Sequence, residues 1–325
     1  MSAARPRAGA RPAAAVLDWS GLLPVDKPTG VTSHDVVDRA RRALGTRAIG
    51  HLGTLDPAAS GLLVLAVGAA TRCAIVWQGG RKTYSGTARF GVVTDSQDLD
   101  GRVLETSESR PESGAVRAAL GELTGDLLQT PPMVSAIKQG GERLYRMARR
   151  GETVAREPRP VRVDAWRVAE IGTDELRFEV DCSGGTYVRT LVHDLGRALG
   201  CGAVLTELRR LRSEPFGVER ACGWEKLSPA DSADVVERWG VPLDRALAVL
   251  PAVVLDAEAA EAIGHGQGPR IPHVAAPVGA GPRSVVFRDA SGRALALGEL
   301  RSEGDGVRAR PAVVFPWAVR AGGAA

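Results

Sequence analysis

The sequence lacks the patterns that define several large classes of protein. No run of about 18 apolar residues occurs, which argues against a membrane span. The four cysteines form no C-x-x-C pair and the five histidines are scattered, so neither a zinc site nor Ser/His catalysis is predicted. No G-x-x-x-x-G-K-[ST] loop, dinucleotide fingerprint or G-x-S-x-G elbow is present. These absences exclude a P-loop nucleotidase, a dinucleotide-binding enzyme and a serine hydrolase of the elbow type.

Lysine is scarce, whereas arginine is abundant. Only four lysines occur among 42 basic residues, and the formal net charge is +4 with a pI near 9.1. Guanidinium groups suit phosphate because their planar fork donates two parallel hydrogen bonds. A genome that favours Ala, Gly and Pro codons would also raise the arginine total. The positions of the arginines are therefore more informative than their number.

Pattern changes along the 325 residues predict two folded domains after a basic tail. Residues 1–18 lack the apolar stretch of a secretory signal, and we expect a disordered basic tail there. Residues 19–250 are expected to form the main domain, and residues 251–325 a small β-rich domain with short strand patterns. Helical and strand patterns mix without a regular βαβ period, so the predicted fold class is α+β with a mixed or antiparallel sheet.

Local signals place several elements of the main domain. Thr32 followed by Asp35 predicts a capped helix start, and Gly45 predicts the end of that helix. Alternating patterns predict strands over residues 82–93 and 176–182, and apolar periodicity predicts helices over 112–124 and 191–199. The segment 51–61 reads as a loop that leads into an apolar strand.

Two acidic turns deserve separate interpretations. Asp56 lies between Leu55 and Pro57 in a loop of small residues, where a turn-capping role is the simplest reading of an isolated Leu-Asp-Pro. The stretch from Ser96 to Ser107 resembles a calcium loop through Asp98, Asp100 and Gly101, but its first and twelfth positions are serines, so the bidentate carboxylate is missing. A capped turn is predicted there instead.

A longer pattern changes the interpretation of Asp56. The segment HLGTLDPAASGLL at 51–63, with GAATR at 68–72, resembles the catalytic signature of the TruB family of tRNA pseudouridine synthases. Further motifs of that family follow the same order over about residues 20–215, two-thirds of the chain. They are DKP at 26–28, KTY at 82–84, GVVTD at 91–95, LYRMARRG at 144–151, CSGGTYVRT at 182–190, GCGA at 200–203 and LRRL at 208–211.

The resemblance implies a pseudouridine synthase catalytic domain that converts uridine 55 in the T-arm loop of tRNA to pseudouridine. The C-terminal domain resembles, more weakly, the PUA-like RNA-binding domain that follows many such domains. The reaction is an isomerisation, so the resemblance implies no cofactor and no metal. It further implies a cytoplasmic enzyme whose partner is tRNA, and we expect a monomer that does not contact membranes.

The resemblance also assigns roles to individual residues. Asp56 aligns with the catalytic nucleophile, leaving open attack on the base, attack on the sugar or stabilisation of a glycal. Arg189 aligns with the arginine that pairs with it and would lower its pKa. Tyr84 aligns with a tyrosine that stacks on the target base and takes part in catalysis. Other substrate-binding positions are His51, Tyr187 and Leu208.

Basic residues outside these motifs predict weaker contacts with the RNA backbone. Lys27 is expected to support the loop or to meet a phosphate. The strongly basic stretch that starts near residue 140 would bind phosphates with salt-dependent affinity, through Arg143, Arg146, Arg149 and Arg150. A solvated charged face is the alternative reading of that stretch.

Two other functions are alternatives to a pseudouridine synthase. A tRNA-folding chaperone without catalysis would bind the same RNA, although Asp56, Tyr84 and Arg189 are all present. A glycoside hydrolase using Asp56 would need a second carboxylate about 5–10 Å away. The recognised motifs provide an arginine and tyrosines in place of that carboxylate.

Overall fold

The computed structural model describes residues 19–135, 138–144, 147, 150, 152, 154–271, 284–303 and 306–320. The predicted basic tail over residues 1–18 lies outside this description. The helices are α1 (Ser33–Leu44), α2 (Ile75–Gln78), α3 (Ser113–Glu122), α4 (Val188–Ala198), α5 (Ser232–Trp239), α6 (Leu243–Ala246) and α7 (Ala257–Gly264). The strands are β1 (Gly21–Lys27), β2 (Ile49–His51), β3 (Ser60–Val67), β4 (Lys82–Phe90), β5 (Val92–Thr94), β6 (Val103–Thr106), β7 (Gly125–Gln129), β8 (Lys138–Gln139), β9 (Glu142–Arg143), β10 (Arg159–Ile171), β11 (Glu175–Cys182), β12 (Ala203–Ser213), β13 (Phe216–Gly217), β14 (Cys222–Gly223), β15 (Val241–Pro242), β16 (Ala252–Val254), β17 (Arg270–Ile271), β18 (Ser284–Arg288), β19 (Ala294–Glu303) and β20 (Gly306–Val314).

A large mixed sheet forms the body of the molecule. Within the described residues it has eleven strands, with the order β14-β1-β3-β12-β4-β11-β10-β7 and with β2, β13 and β15 paired at its margins. Its pairs are antiparallel except β1 with β14 and β3 with β12. The parallel pair places Gly61, at the start of β3, beside Arg210 of β12, and the antiparallel pair of β12 and β4 sets Arg210 opposite Tyr84. This sheet confirms the predicted α+β class.

Helix α1 shows how local sequence signals produce a packed element. Thr32 and Asp35 form the predicted capping box, and Gly45 ends the helix in the left-handed conformation with φ 66°. The apolar face of α1 packs into a core that also contains residues of β1, β3 and α4. Because the cap fixes where the helix begins, it also fixes the position of Ser33, the first helical residue.

A second, five-stranded sheet forms a β-rich domain at the C-terminal end. Its order is β16-β18-β19-β20-β17, and the chain passes to it from the large sheet between β15 and β16. The two sheets share a core, in which Leu22 and Leu62 of the first meet Val286, Leu297 and Phe315 of the second. Its strands are longer than the short patterns predicted for residues 251–325, since β19 has ten residues and β20 has nine.

Two long strands, β10 and β12, were not predicted from the pattern. In β12 the alternation of apolar residues is broken because Arg210 occupies a buried position, with 2% of its surface exposed. An inward-pointing arginine interrupts the alternation of inward-pointing apolar residues by which a strand is predicted from sequence. In the described part of the chain, no helix combines the length and apolar character needed to cross a membrane.

Candidate active site

In the loop between β2 and β3, hydrogen bonds hold the backbone just before Asp56. Ser33 Oγ donates to the Leu55 carbonyl at 2.9 Å and accepts from the Leu55 N–H at 2.8 Å. The buried Arg210 guanidinium donates to the carbonyls of Gly53 at 3.1 Å and Thr54 at 3.4 Å. The backbone leading to Asp56 therefore has partners from α1 and from β12.

The backbone just after Asp56 is held by Lys27, which is fully buried at the end of β1. Its ammonium donates to the carbonyls of Pro28 at 2.9 Å, Val31 at 2.7 Å and Pro57 at 3.4 Å. Burial lowers the pKa of Lys27 to about 8, and Asp56 opposes that shift. An ammonium buried on three carbonyls favours the first of the two predicted roles, support of the loop, over contact with an RNA phosphate.

Asp56 pairs with Arg189 across two distant parts of the chain. Arg189 Nε lies 3.0 Å from Asp56 Oδ2, with 41% of the Asp56 side chain exposed and 4% of the Arg189 side chain exposed. Arg189 lies in the first turn of α4, 133 positions along the chain. The carboxylate thus remains accessible while the guanidinium that holds it is covered by protein.

The remaining N–H groups of Arg189 bind the turn that contains Ser96 and Asp98 and the segment that contains Val134. Nη1 donates to the Ser96 carbonyl at 2.8 Å and lies 3.2 Å from Asp98 Oδ2, while Nη2 donates to the Val134 carbonyl at 2.8 Å. A guanidinium satisfied on several sides has one orientation, so the rotamer of Arg189 is fixed before any substrate arrives.

Asp98 is the residue that the sequence reasoning missed as part of the site. Its side chain is 16% exposed, and its turn is closed by Thr94 Oγ1, which donates to the Asp98 carbonyl at 2.7 Å, and by a short hydrogen bond from Ser96 Oγ to its carboxylate. The prediction of a capped turn is confirmed. The carboxylate nevertheless has a second partner in Arg189, and no local signal could reveal it.

Opposing influences set the protonation of Asp56. Burial raises the pKa of the Asp56 carboxyl above its ordinary value, the Arg189 charge opposes this, and the nearby Asp98 carboxylate adds to the rise. Arg189 lowers the Asp56 pKa as expected, but burial outweighs it and the net direction is upward. The Arg189 guanidinium, 3.0 Å away, is the neighbour that most favours the ionised form of Asp56.

Tyr84 lies in β4, near enough to Asp56 for the Asp56 charge to influence its pKa. It is 6% exposed and belongs to the main core, directly opposite Arg210 of β12. Burial raises the pKa of the Tyr84 phenol; Arg210 opposes that shift and Asp56 adds to it. The structure thus brings Tyr84, Asp56 and Arg210 into one electrostatic neighbourhood and keeps the phenol protonated at neutral pH.

Tyr187 is held by a buried amide. Gln129, at the end of β7, accepts from the Tyr187 N–H at 2.8 Å and donates to the Tyr187 carbonyl at 3.1 Å. This pair fixes the backbone immediately before α4, two residues from Arg189. Gln129 is a further residue that the sequence reasoning did not identify.

The other predicted contact residues lie on several elements. His51 is half-buried at the end of β2 in register with Leu65, and Leu208 is half-buried in β12 in register with Gly86. Arg150 is bound by Glu142 and Glu152, each at 2.6 Å, which offsets its charge. Arg146 and Arg149 lie outside the described residues, as does the side chain of Arg143.

An exposed carboxylate paired with a buried guanidinium, with two tyrosines nearby, is an enzyme site of the acid–base or nucleophilic type. Two family descriptions match the chain around it. "TruB family pseudouridylate synthase (N terminal domain)" covers residues 41–188, and "tRNA pseudouridylate synthase B C-terminal domain" covers residues 189–260. The border between them falls beside Arg189, so the ion pair joins both parts.

Individual relatives agree with these matches. "tRNA pseudouridine synthase B" of Burkholderia mallei is 42% identical over 288 residues, which cover 88% of this chain and 92% of that protein. The Mycobacterium avium protein of the same name is 45% identical over 253 residues, or 76% of this chain and 80% of its own. A solved Cbf5-Nop10-Gar1 complex matches with 27% identity and a TM-score of 0.69, covering 91% of this chain and 85% of that one. This chain belongs to the TruB family of pseudouridine synthases.

Proposed function

We propose that this enzyme isomerises uridine 55 in the T-arm loop of tRNA to pseudouridine. The observation that carries the proposal is the accessible Asp56 carboxylate, held 3.0 Å from the buried Arg189 guanidinium on a loop that is hydrogen-bonded on both sides. The names of the relatives, which are tRNA pseudouridine synthases, support tRNA as the substrate.

The chemistry balances without a co-reactant. The bond from N1 to C1′ breaks, the uracil turns, a bond from C5 to C1′ forms, the C5 proton leaves to solvent and N1 gains a proton. Asp56 acts as the ionised group at the reacting nucleotide, and Arg189 orients it. Attack on the base, attack on the sugar and stabilisation of a glycal all use the same carboxylate.

The neighbouring residues are assigned to substrate binding. The target base must leave its stack, which costs a few kcal/mol, and stacking on an aromatic ring returns roughly 1–3 kcal/mol per base. We assign that contact to Tyr84, with Tyr187, His51 and Leu208 lining the pocket. The Tyr84 pKa responds to the Asp56 charge, which supports this assignment.

The proposal extends to the organisation of the protein. Residues 19–250 would be the catalytic domain and residues 251–325 a PUA-like RNA-binding domain, in a monomer that acts in the cytoplasm. The exposed Arg42 and Arg47, which line a cavity of about 490 Å³ with Arg41, would contact backbone phosphate.

Release of tritium from tRNA labelled at C5 of uridine tests the proposal. The purified enzyme should release tritium from the wild-type tRNA and none from a tRNA with cytidine at position 55. Binding without release would indicate a folding chaperone. Free uracil among the products would indicate a glycoside hydrolase, for which Asp98 could supply the second carboxylate. Either result would overturn the isomerase assignment.

A further inference from the structure

Arg210 is a buried guanidinium whose contacts reach the backbone on both sides of the Asp56 loop. It lies in β12 with 2% of its surface exposed. Its Nε donates to the Leu62 carbonyl of β3 at 2.6 Å, and its terminal nitrogens donate to the carbonyls of Gly53 at 3.1 Å and Thr54 at 3.4 Å. One side chain thus joins the strand that follows the loop to the backbone that precedes Asp56.

The backbone of Arg210 is placed by a close approach of β3. Gly61 stands beside Arg210 in the parallel pair and has φ 99°. A Cβ at Gly61 would collide with the carbonyl and the nitrogen of Arg210. Glycine meets both requirements, because it lacks a side chain and adopts positive φ without strain. A larger residue at position 61 would push β12 away from the loop that Arg210 holds.

Tyr84 faces Arg210 from the other neighbouring strand. β12 lies between β3 and β4, and the antiparallel register sets Arg210 directly opposite Tyr84. Burial raises the pKa of the Tyr84 phenol, whereas Arg210 lowers it by its charge and by a hydrogen bond between the two side chains. Cys182 of β11 and Asp56 both raise this pKa. Among these groups, Arg210 is the one that stabilises negative charge on the phenol oxygen.

Support of the loop does not by itself explain a buried charge at position 210. The acceptors of Arg210 are three carbonyls and a phenol, all neutral, so none of them balances its positive charge. Burying a guanidinium without a counter-charge costs free energy. Ser33 binds the Leu55 backbone of the same loop with a neutral hydroxyl. A charged donor at position 210 therefore indicates an effect on a reacting group.

The charge of Arg210 is directed at Tyr84 rather than at Asp56. The cations that act on the pKa of Asp56 are Arg189 and Lys27, whereas the cation that acts on the pKa of Tyr84 is Arg210. The carboxylate and the phenol thus have separate basic partners. Arg210 connects the two groups only through the backbone that leads to Asp56.

We propose that Arg210 is a positioning residue for the isomerisation, which acts on the reacting nucleotide through the Tyr84 hydroxyl. Its guanidinium holds that hydroxyl and the backbone before Asp56 in one arrangement. Its charge stabilises the phenol oxygen whenever the hydroxyl shares its proton during the reaction. This inference rests on the proposed function, because it assigns Arg210 to the same reaction.

A double-mutant cycle tests whether Arg210 acts through the Tyr84 hydroxyl. Single-turnover tritium release is measured for wild type, Arg210→Lys, Tyr84→Phe and the double variant. Lysine keeps the charge but cannot bind β3, the loop and the phenol from one fork. We expect Arg210→Lys to lower the rate roughly 30-fold in wild type and at most about threefold when residue 84 is already phenylalanine. The Kd for tRNA should stay within about threefold in every variant.

Lys82 provides a matched control. It is another buried cation, 6% exposed and two residues before Tyr84 in β4, and it donates to the carbonyls of Gln78 at 3.1 Å and Gly80 at 2.9 Å. Lys82 is not among the groups that act on the pKa of Tyr84. The losses of rate in Lys82→Met and Tyr84→Phe should therefore multiply, which is the pattern that a purely structural role produces.

The pH profile separates an effect on Tyr84 from an effect on Asp56. In Arg210→Lys the acid limb of kcat/KM, which reports Asp56, should keep its position. Movement of that limb would place the effect on Asp56 and overturn the inference. Equal losses from Arg210→Lys in the two backgrounds, with native circular dichroism, would also overturn it.

A measurement that leaves Arg210 intact covers the case in which Arg210→Lys does not fold. The NMR resonances of the Arg210 guanidinium nitrogens should shift when Tyr84→Phe removes the phenol hydroxyl. Unchanged resonances would overturn the inference. Failure of the proposed function is distinguishable, since wild-type enzyme would then release no tritium.

Discussion

Asp56 and Asp98 approach the same guanidinium from two turns that are built differently. The loop around Asp56 takes its support from distant elements, through Ser33 of α1, Lys27 of β1 and Arg210 of β12. The turn around Asp98 closes on itself through Thr94 and Ser96, and is tied to the sheet by a bridge to Leu205. Asp56 is 41% exposed and Asp98 is 16% exposed.

We propose that this difference separates a reacting group, Asp56, from a positioning group, Asp98. A carboxylate that meets substrate needs an open face and a backbone that cannot yield, and the Asp56 loop provides both. A carboxylate that aligns Arg189 needs the opposite, a protected position and a permanent partner. In the proposed mechanism the same chemical group therefore has two roles, which differ in exposure and in the origin of the support.

The largest expected effect follows from Asp56→Asn. This change keeps the shape of the side chain and removes its charge, so turnover should fall by at least about 10³-fold. Affinity for tRNA should stay within a few fold, because Arg189 retains its other acceptors. Single-turnover tritium release and filter binding measure the two quantities. Near-normal turnover in the purified variant would contradict the assignment of Asp56.

Arg189→Lys is expected to have the next largest effect, a loss of about 10²–10³-fold in kcat. Lysine keeps the positive charge but cannot reach Asp56, Asp98 and the Val134 carbonyl from one fork. Arg189→Gln serves as the comparison, because it also removes the charge that opposes the raised Asp56 pKa. Wild-type rates in the lysine variant would remove Arg189 from the site.

Asp98→Asn should lower kcat by a smaller factor, roughly 10–100-fold, as other changes to groups that align a reacting residue do.

The pH dependence tests the same group. Activity that needs ionised Asp56 is lost as pH falls through its pKa, so the raised pKa puts the acid limb of the kcat/KM profile above the ordinary carboxyl value. Asp98 contributes to that rise. The limb should therefore move to lower pH in Asp98→Asn and to higher pH in Arg189→Gln. A shift in the same direction in both variants would exclude this coupling.

Ser33→Ala tests the distant support of the Asp56 loop and should have the smallest effect on turnover. It leaves the Leu55 N–H and carbonyl without their partner, which should lower the free energy of unfolding by about 1–3 kcal/mol. We expect kcat to fall severalfold while tRNA affinity is kept. Thermal unfolding and tritium release measure these effects, with the exposed Ser302→Ala as the control. No loss of stability would show that the loop does not depend on α1.

Sequence patterns predicted the local parts of this architecture. The capping box of α1, the left-handed Gly45 and the strand over 176–182 depend on neighbours within a few residues, and all are confirmed. The strand β12 and its buried Arg210 were not predicted, because the partners of Arg210 are carbonyls about 150 positions away in the chain. The buried state of Lys27 was missed for a similar reason.

The sequence by itself determined the elements with clear local patterns, the family, and the identity of the carboxylate and arginine that pair. Only the tertiary structure decided that Arg189 joins segments near residues 56, 96–98 and 134, and that Asp98 serves it. The physical reason is that a buried guanidinium must find acceptors for its N–H groups wherever packing brings them. Local preference selects helices and strands, whereas the packing of the sheet selects these partners.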